Sequence, residues 1–119
     1  MNAVRLEDLH WVAGILEGEG CFRSKTTSLR KDGNSRYHYP AVEVNMADED
    51  VIRRLQTIMG VGNVHGPYGK HPAHPDWKPM WRWSVQKKHD AEEVMTLVYP
   101  IMGSRRRQKI EDILGLVPA

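Results

Sequence analysis

The sequence predicts an α+β domain in which an antiparallel four-stranded sheet carries helices on one face. Three observations support this fold class. Apolar residues recur at helical spacing in four segments, polar and apolar residues alternate in four others, and turn-forming residues pair the alternating segments into two hairpins. The segments follow in the order helix, hairpin, helix, hairpin, helix, helix. No internal repeat or boundary interrupts them, so we expect one domain spanning residues 1–119.

The first half of the chain predicts a helix followed by a hairpin. Apolar residues form a helical stripe from Leu6 to Glu17, with acidic residues in the first turn. From Gly20 the pattern becomes extended. The turn-like RKDGNS at Arg30 to Ser35 separates this strand from a return strand at about Arg36 to Met46. Both strands alternate polar with apolar residues, which is typical of a sheet with one buried face.

The second half predicts another helix, another hairpin and two closing helices. Asp48 is a suitable N-cap for a helix from Glu49 to Met59, and Gly60 and Gly62 end this helix. Pro100 separates the last two helices. The remaining strands and helices are predicted at Asn63 to Tyr68, Met80 to Gln86, Asp90 to Tyr99 and Ser104 to Leu114.

Composition limits the class of protein. Hydrophobic residues make up 40% of the chain and charged residues 27%, as in an ordinary globular protein and unlike a disordered one. The single cysteine, Cys21, excludes an internal disulfide, so we expect an intracellular protein of the cytoplasm or an organellar matrix that is not secreted. No apolar run reaches the roughly 20 residues that a membrane span requires. At 119 residues the chain is short for a self-contained enzyme cleft, which makes a second copy a candidate partner.

One face of the predicted sheet carries long polar side chains. Because the net charge is only +2, an argument for nucleic-acid binding depends on where the charge lies. Arg, Lys, Gln and Ser read base edges in the DNA major groove, and a two-stranded ribbon fits that groove. A solvated sheet face is the alternative interpretation. The candidate DNA contacts are Arg23, Lys25, Thr27, Tyr39, Glu43, His65, Arg82, Ser84 and Gln86, with Arg106 in the basic run RRRQK as a phosphate contact.

The segment VAGILEGEG at Val12 to Gly20 violates the usual rules for helix composition. Glycine costs roughly 1 kcal/mol per helix position relative to alanine, so Gly14 and Gly18 need a compensating gain. At positions i and i+4 they share one face, where a second helix can approach closely. Glu17 and Glu19 then fall at the helix C-terminus, where the macrodipole disfavours each by about 0.3 to 1 kcal/mol. Some positive group must compensate them.

Two copies of this helix crossing at the glycines would bring the carboxylates of both chains together. Like charges that close require divalent cations between them, and oxygen ligands suit Mg²⁺. Two such ions on a phosphodiester would support hydrolysis. A glycine-rich helix end with a solvated glutamate pair is the structural alternative.

The same segment resembles the LAGLIDADG motif of homing endonucleases position by position. The matching positions are Ala13, Gly14, Gly18 and Gly20 for the small residues, Val12, Ile15 and Leu16 for the aliphatic ones, and Glu17 and Glu19 for the acids. The predicted element order is also the α-β-β-α-β-β-α layout of that family, with a saddle-shaped sheet. Further similarities are IMGVGNVHG at Ile58 to Gly66 and YPIMGSRRRQK at Tyr99 to Lys109.

The resemblance implies a homodimer, because members with one motif pack two motif helices together and place a sheet from each subunit on DNA. It therefore implies double-stranded DNA with a pseudo-palindromic site as the substrate, cut to leave short 3′ overhangs. Mg²⁺ is the implied cofactor, and we expect Ca²⁺ to support binding without cleavage. The implied interface residues are Val12, Ala13, Gly14, Glu17 and Gly18.

The resemblance also assigns roles to individual residues. Glu19 matches the metal-binding catalytic acid, with Gly18 beside it as a second metal position, and Glu17 matches the acid that helps to close the motif helix. Arg105 matches a basic catalytic residue near the scissile phosphate, and Arg106 is the alternative if the alignment shifts by one.

Met46 departs from the family pattern, because a polar residue that organises water is expected at the end of the second strand. Asn45 or Asp48 could take that role. Otherwise cleavage would be weakened or lost, and the protein would act as a DNA- or RNA-binding module such as a repressor, an intron-splicing cofactor or an architectural factor.

His65 and the residues His71, His74 and Asp76 of the loop HPAHPD resemble a metal site in composition. The irregular spacing of these residues and the prolines between them favour a surface loop over structural zinc. The parity of Trp81 and Trp83 predicts core positions instead of stacking platforms.

Overall fold

A computed structural model describes residues 1–26, 38–69 and 72–115. Within these ranges the elements are α1 Leu6–Glu19, β1 Gly20–Thr26, β2 His38–Met46, α2 Glu49–Met59, β3 Asn63–Tyr68, β4 Met80–Val85, α3 Lys88–Val98, a short 3-10 helix Tyr99–Ile101, and α4 Ser104–Leu114. This order confirms the α+β class and the layout predicted from the sequence. Thr27, the predicted turn, the start of the return strand and His71 lie outside the described residues.

The four strands form one antiparallel sheet in the order β1-β2-β4-β3. The two hairpins therefore meet along β2 and β4, which occupy the centre. The register places Glu43 of β2 opposite Cys21 of β1 and opposite Ser84 of β4. It also pairs Asn45 with Arg82. Polar residues from three strands thus lie side by side on one sheet face.

The hydrophobic core lies between the other sheet face and the helices. Val42, Val44, Trp83 and Val85 are at most 1% exposed and belong to one cluster with buried residues of all four α-helices. The indole nitrogen of Trp83 donates a hydrogen bond to the carbonyl of Val61 at 3.0 Å, so its polar atom is satisfied. The predicted core position of Trp83 is confirmed, and Trp81 packs at the edge of the same cluster.

Two glycines shape the end of α2 as predicted. Gly60 is the C-cap with φ of 71°, a left-handed conformation that glycine adopts without strain. At Gly62 a Cβ would lie 2.6 Å from the indole nitrogen of Trp83, so any side chain would collide with the core. Asp48 occupies the predicted N-cap position, but its side chain makes no capping hydrogen bond.

The first helix is longer than predicted. It continues to Glu19, and β1 begins directly at Gly20 without a connecting loop. A Cβ on Gly20 would lie 2.6 Å from the carbonyl oxygen of Leu16, which explains why glycine stands at this junction. The chain therefore passes from the helix into the sheet immediately after Glu19. Across the described ranges, no helix combines the length and apolar character needed to cross a membrane.

Candidate active site and nucleic-acid interface

The glycine stripe of α1 is open on the surface of the protein. A Cβ placed on Gly14 or on Gly18 would meet nothing within 4 Å, and both residues are exposed. Val12 and Ala13, which were expected in the same interface, are 0% and 6% exposed and pack in the core of their own chain. The helical period turns these two residues inward, so the expectation is corrected for them.

Arg106 supplies the positive charge that the end of α1 requires. Its Nη1 atom donates a hydrogen bond to the carbonyl of Gly20 at 2.5 Å, and Nη2 donates to the carbonyl of Glu17 at 3.1 Å. These carbonyls lie at the negative end of the α1 dipole. Arg106 was a candidate for DNA contact, but the structure places its guanidinium on the protein backbone. The macrodipole argument predicted that a positive group would lie here, but it did not indicate which one.

Glu17 makes the reciprocal contact at the start of α4. Its Oε2 atom accepts a hydrogen bond of 3.4 Å from the backbone N–H of Gly103, the N-cap residue of α4. A Cβ on Gly103 would collide with the Glu17 carboxylate. An anion thus lies at the positive end of one helix and a cation at the negative end of the other. We call Glu17, Gly20, Gly103 and Arg106 together the helix-end latch.

Glu19 and Arg105 differ from their latched neighbours. Both side chains are exposed, and neither makes a hydrogen bond or an ion pair with another described residue. Glu19 lies between two residues whose carbonyls Arg106 holds, and Arg105 directly precedes Arg106. The latch therefore fixes the backbone on either side of Glu19 and next to Arg105. Because neither side chain has a partner among the described residues, the Glu19 carboxylate and the Arg105 guanidinium are available to a ligand.

A buried carboxylate lies in the middle of the polar sheet face. Glu43 is 2% exposed, and its Oε1 atom is 2.5 Å from Nζ of Lys25, while Oε2 is 3.8 Å from Nε of Arg23. Burial by itself would raise the pKa of Glu43, but the hydrogen bond and charge of Lys25, with the charges of Arg23 and Arg82, lower this pKa below its usual value. Glu43 is therefore ionised and surrounded by cations.

A second polar cluster joins the two hairpins. The Oδ1 atom of Asn45 accepts hydrogen bonds from the Nε atom of Arg82, at 2.8 Å, and from the hydroxyl of Tyr68. The Arg82 guanidinium also lies 5.2 Å from the centre of the Tyr68 ring. Sequence reasoning had placed Asn45 on the polar parity of its strand but had missed Tyr68, because Tyr68 follows an irregularity in the pairing of β3 with β4.

The candidate DNA contacts divide by exposure. Glu43 and Ser84 are each 2% exposed, which leaves them no surface for a direct contact with a base, so the expectation is corrected for these two. Gln86 lies just beyond β4 and donates a 3.4 Å hydrogen bond to the Ser84 hydroxyl. The exposed candidates are Arg23, His65 and Gln86, and the half-buried ones are Lys25, Tyr39 and Arg82.

The proline-rich loop between β3 and β4 carries a stacked ring pair. The rings of His74 and Trp77 lie 3.9 Å apart and nearly parallel, at 4°. Over the described part of the chain, no group of three His, Cys, Asp or Glu side chains is arranged to hold a metal ion.

Comparison with known proteins identifies the fold of the chain. No protein-family model matches the sequence, and no curated protein matches it. Among solved structures, the chain is similar to the homing endonuclease I-CvuI in complex with the I-CreI target, a structure determined in the presence of Mg in which the DNA is not cleaved. The two share 17% sequence identity and a TM-score of 0.69, and the match covers 94% of this chain and 69% of that one.

Two further structures show the same similarity. The group I intron-encoded homing endonuclease I-CeuI, complexed with DNA, has 15% identity and a TM-score of 0.72 over 97% of this chain and 56% of that one. The LAGLIDADG meganuclease I-CpaMI, bound to uncleaved DNA, has 16% identity and a TM-score of 0.63 over 83% of this chain and 32% of that one. The chain therefore has the fold of the LAGLIDADG homing endonucleases, as its motif and element order predicted.

Proposed function

We propose that the protein is a homodimeric, sequence-specific endonuclease that hydrolyses double-stranded DNA with divalent metal ions, Mg²⁺ first among them. The observation that carries the proposal is the carboxylate of Glu19, which is exposed and makes no hydrogen bond or ion pair with the described residues. It lies beside the open glycine stripe and directly before the first strand of the sheet. The solved structures of I-CvuI and I-CeuI, which share this fold, are homing endonucleases in complex with DNA, and this supports the same class of substrate. Such a substrate places the activity inside the cell, in the cytoplasm or an organellar matrix.

The open glycine stripe supports a dimer. Closely packed helices need small residues at their crossing, and Gly14 and Gly18 have open space where side chains would lie. Because Glu19 follows Gly18 directly, a crossing at the glycines brings the Glu19 residues of both subunits together. A two-fold axis at this contact also predicts a pseudo-palindromic target.

The donor set at this position fits a hard divalent cation. Glu19 offers free carboxylate oxygens, and Gly18 can offer only its backbone carbonyl, which are ligand types that Mg²⁺ and Ca²⁺ prefer. We propose that phosphate oxygens of the DNA complete the coordination. When bound, the metal would activate water and stabilise the leaving oxygen. The free guanidinium of Arg105 stabilises the negative charge that develops on the phosphate.

The polar sheet face supports recognition of a duplex. Arg23, His65 and Gln86 are exposed there, and Lys25 and Arg82 are half-buried. Arginine and glutamine make bidentate contacts with guanine and adenine edges in the major groove. The hydrogen bond that holds the Arg82 guanidinium against Asn45 reduces the entropy lost when this side chain binds a base.

A cleavage-deficient DNA- or RNA-binding protein is the second candidate, and Met46 favours it. Met46 ends β2, pairs with Trp81 and packs against the core, so it offers no polar group to organise water. The amide oxygen of the adjacent Asn45 is already engaged by Arg82 and Tyr68. Asp48 remains as an exposed carboxylate without a capping bond.

A selection on random DNA tests the proposal. The purified protein is incubated with a library of duplexes of about 30 base pairs, which exceeds the span of two adjacent major-groove half-sites. One arm contains Mg²⁺ and the other Ca²⁺, and both bound and cut molecules are sequenced. The proposal predicts an enriched pseudo-palindrome in both arms, with cut ends in the Mg²⁺ arm alone.

Two variants complete the experiment. Glu19→Gln should abolish cutting and preserve binding, because it removes the proposed metal ligand at the surface without altering the latch. Glu7→Gln is the matched control, since Glu7 is an exposed acid on the same helix whose partner is Arg5. Enrichment without cutting would support the second candidate. Cutting that survives in the Glu19→Gln variant would refute the active-site assignment.

A further inference from the structure

The buried carboxylate of Glu43 is the one ionised group on the described polar face that cannot reach a ligand itself. It lies on a central strand, opposite Cys21 on one side and Ser84 on the other. At 2% exposure it has no free surface, yet it is 2.5 Å from the ammonium of Lys25 and 3.8 Å from Nε of Arg23. Burying a charge is costly unless it is paired, so these contacts hold both cations in place.

The cations around Glu43 keep surface of their own. The side chain of Lys25 is 26% exposed and that of Arg23 is 53% exposed. The same Nε atom of Arg23 donates a hydrogen bond to the sulfur of Cys21 at 3.0 Å, so Cys21 and Glu43 hold this guanidinium together. Both side chains are therefore restricted to fewer rotamers than an unpaired lysine or arginine on a protein surface.

We infer that Glu43 is a specificity-determining positioning residue, which orients Lys25 and Arg23 toward the bases and cancels one positive charge on the polar face. The inference rests on the proposed DNA-binding function and deepens it. Orientation raises the affinity for the correct sequence, because less side-chain freedom is lost on binding. Charge cancellation lowers the affinity for every other sequence, because non-specific binding depends on the number of cations that meet phosphates.

Two variants separate these effects. Glu43→Gln keeps the shape of the side chain but removes the charge, which releases one cation in each subunit. Glu43→Asp keeps the charge but withdraws the carboxylate from Lys25 by one methylene. Glu49→Gln is the matched control, because Glu49 forms an ion pair of 2.7 Å with Arg53 on α2, away from the sheet.

The measurement is the dissociation constant for two fluorescent duplexes, one carrying the enriched site and one a shuffled sequence, in Ca²⁺ over a series of salt concentrations. Circular dichroism first verifies that each variant is folded. For Glu43→Gln we expect tighter binding to the shuffled duplex, a salt slope steeper by about 0.9 per released cation, and a specificity ratio about tenfold lower, which is the value of one good base contact. Glu43→Asp should have a lower ratio between the dissociation constants of the shuffled and the enriched duplex, with an unchanged salt slope. Glu49→Gln should match the wild type in this ratio and in the salt slope.

A merely structural role for Glu43 would weaken binding to both duplexes equally and leave their ratio unchanged, which would overturn the inference. Wild-type discrimination that persists in both Glu43 variants would overturn it as well and leave the proposed function standing. A wild-type protein that binds both duplexes equally would overturn the proposed function, and the inference with it.

Discussion

Replacing Arg106 with methionine tests the helix-end latch. Methionine keeps most of the aliphatic stem of arginine and removes the guanidinium, so packing changes little while both hydrogen bonds to the end of α1 are lost. The carbonyls of Glu17 and Gly20 then lose their donors. The variant should be less stable, and Glu19 between these carbonyls should be less well fixed.

The magnitude follows from the two hydrogen bonds. Hydrogen bonds to charged groups contribute at least about 1.5 kcal/mol each, which gives about 3 kcal/mol for the pair. Arg106 is only half-buried, so water replaces part of the loss, and about 2 kcal/mol remains. A domain of this length unfolds with an entropy of about 0.25 kcal/mol per kelvin. The melting temperature should therefore fall by about 8 °C.

Thermal unfolding followed by circular dichroism measures this change. Arg106→Lys should lie between wild type and Arg106→Met, because an ammonium can still donate to one carbonyl. Arg107→Met is the matched control, since Arg107 is exposed on the same helix. Arg105→Met should keep the wild-type melting temperature and lose cutting. If Arg106→Met and Arg107→Met melted at the same temperature, the latch would contribute nothing and the reasoning would be refuted.

Three further predictions follow from single contacts. The pKa of Glu43 is lowered in the folded state, so ionised Glu43 stabilises the protein at any pH above its unfolded-state pKa. This stabilisation is lost as the pH falls through the folded-state pKa. The urea midpoint of the wild type should therefore decrease more than that of Glu43→Gln below about pH 4.5. Gly14→Leu should leave the fold intact and give a monomer in analytical ultracentrifugation, because nothing lies within 4 Å of its Cβ inside the chain; a stable dimer would contradict the proposed interface. Gly20→Ala should destabilise the protein in urea titration, since its Cβ would lie 2.6 Å from the carbonyl of Leu16, and an unchanged midpoint would contradict this contact.

Local patterns were sufficient for the element order. Alternation in β4 identified Trp83 as a core residue, and the glycines after α2 marked the end of that helix, because both depend on neighbours within a few residues. The motif resemblance, in contrast, implied interface positions for Val12 and Ala13, which the helical period turns into the core of their own chain. A motif identifies the positions of a segment, but the direction of each side chain depends on which face the rest of the protein covers.

The sequence by itself determined the fold class, the position of the motif helix and the two acids at its end, since these depend on spacing along the chain. The tertiary structure decided which charges are free. Arg106 reaches the carbonyls of Glu17 and Gly20 across 86 to 89 residues of chain, and strand register buries Glu43 beneath Lys25. Such pairs form because the folded backbone brings distant dipoles and charges together, and no local pattern shows which glutamate or which arginine will find a partner.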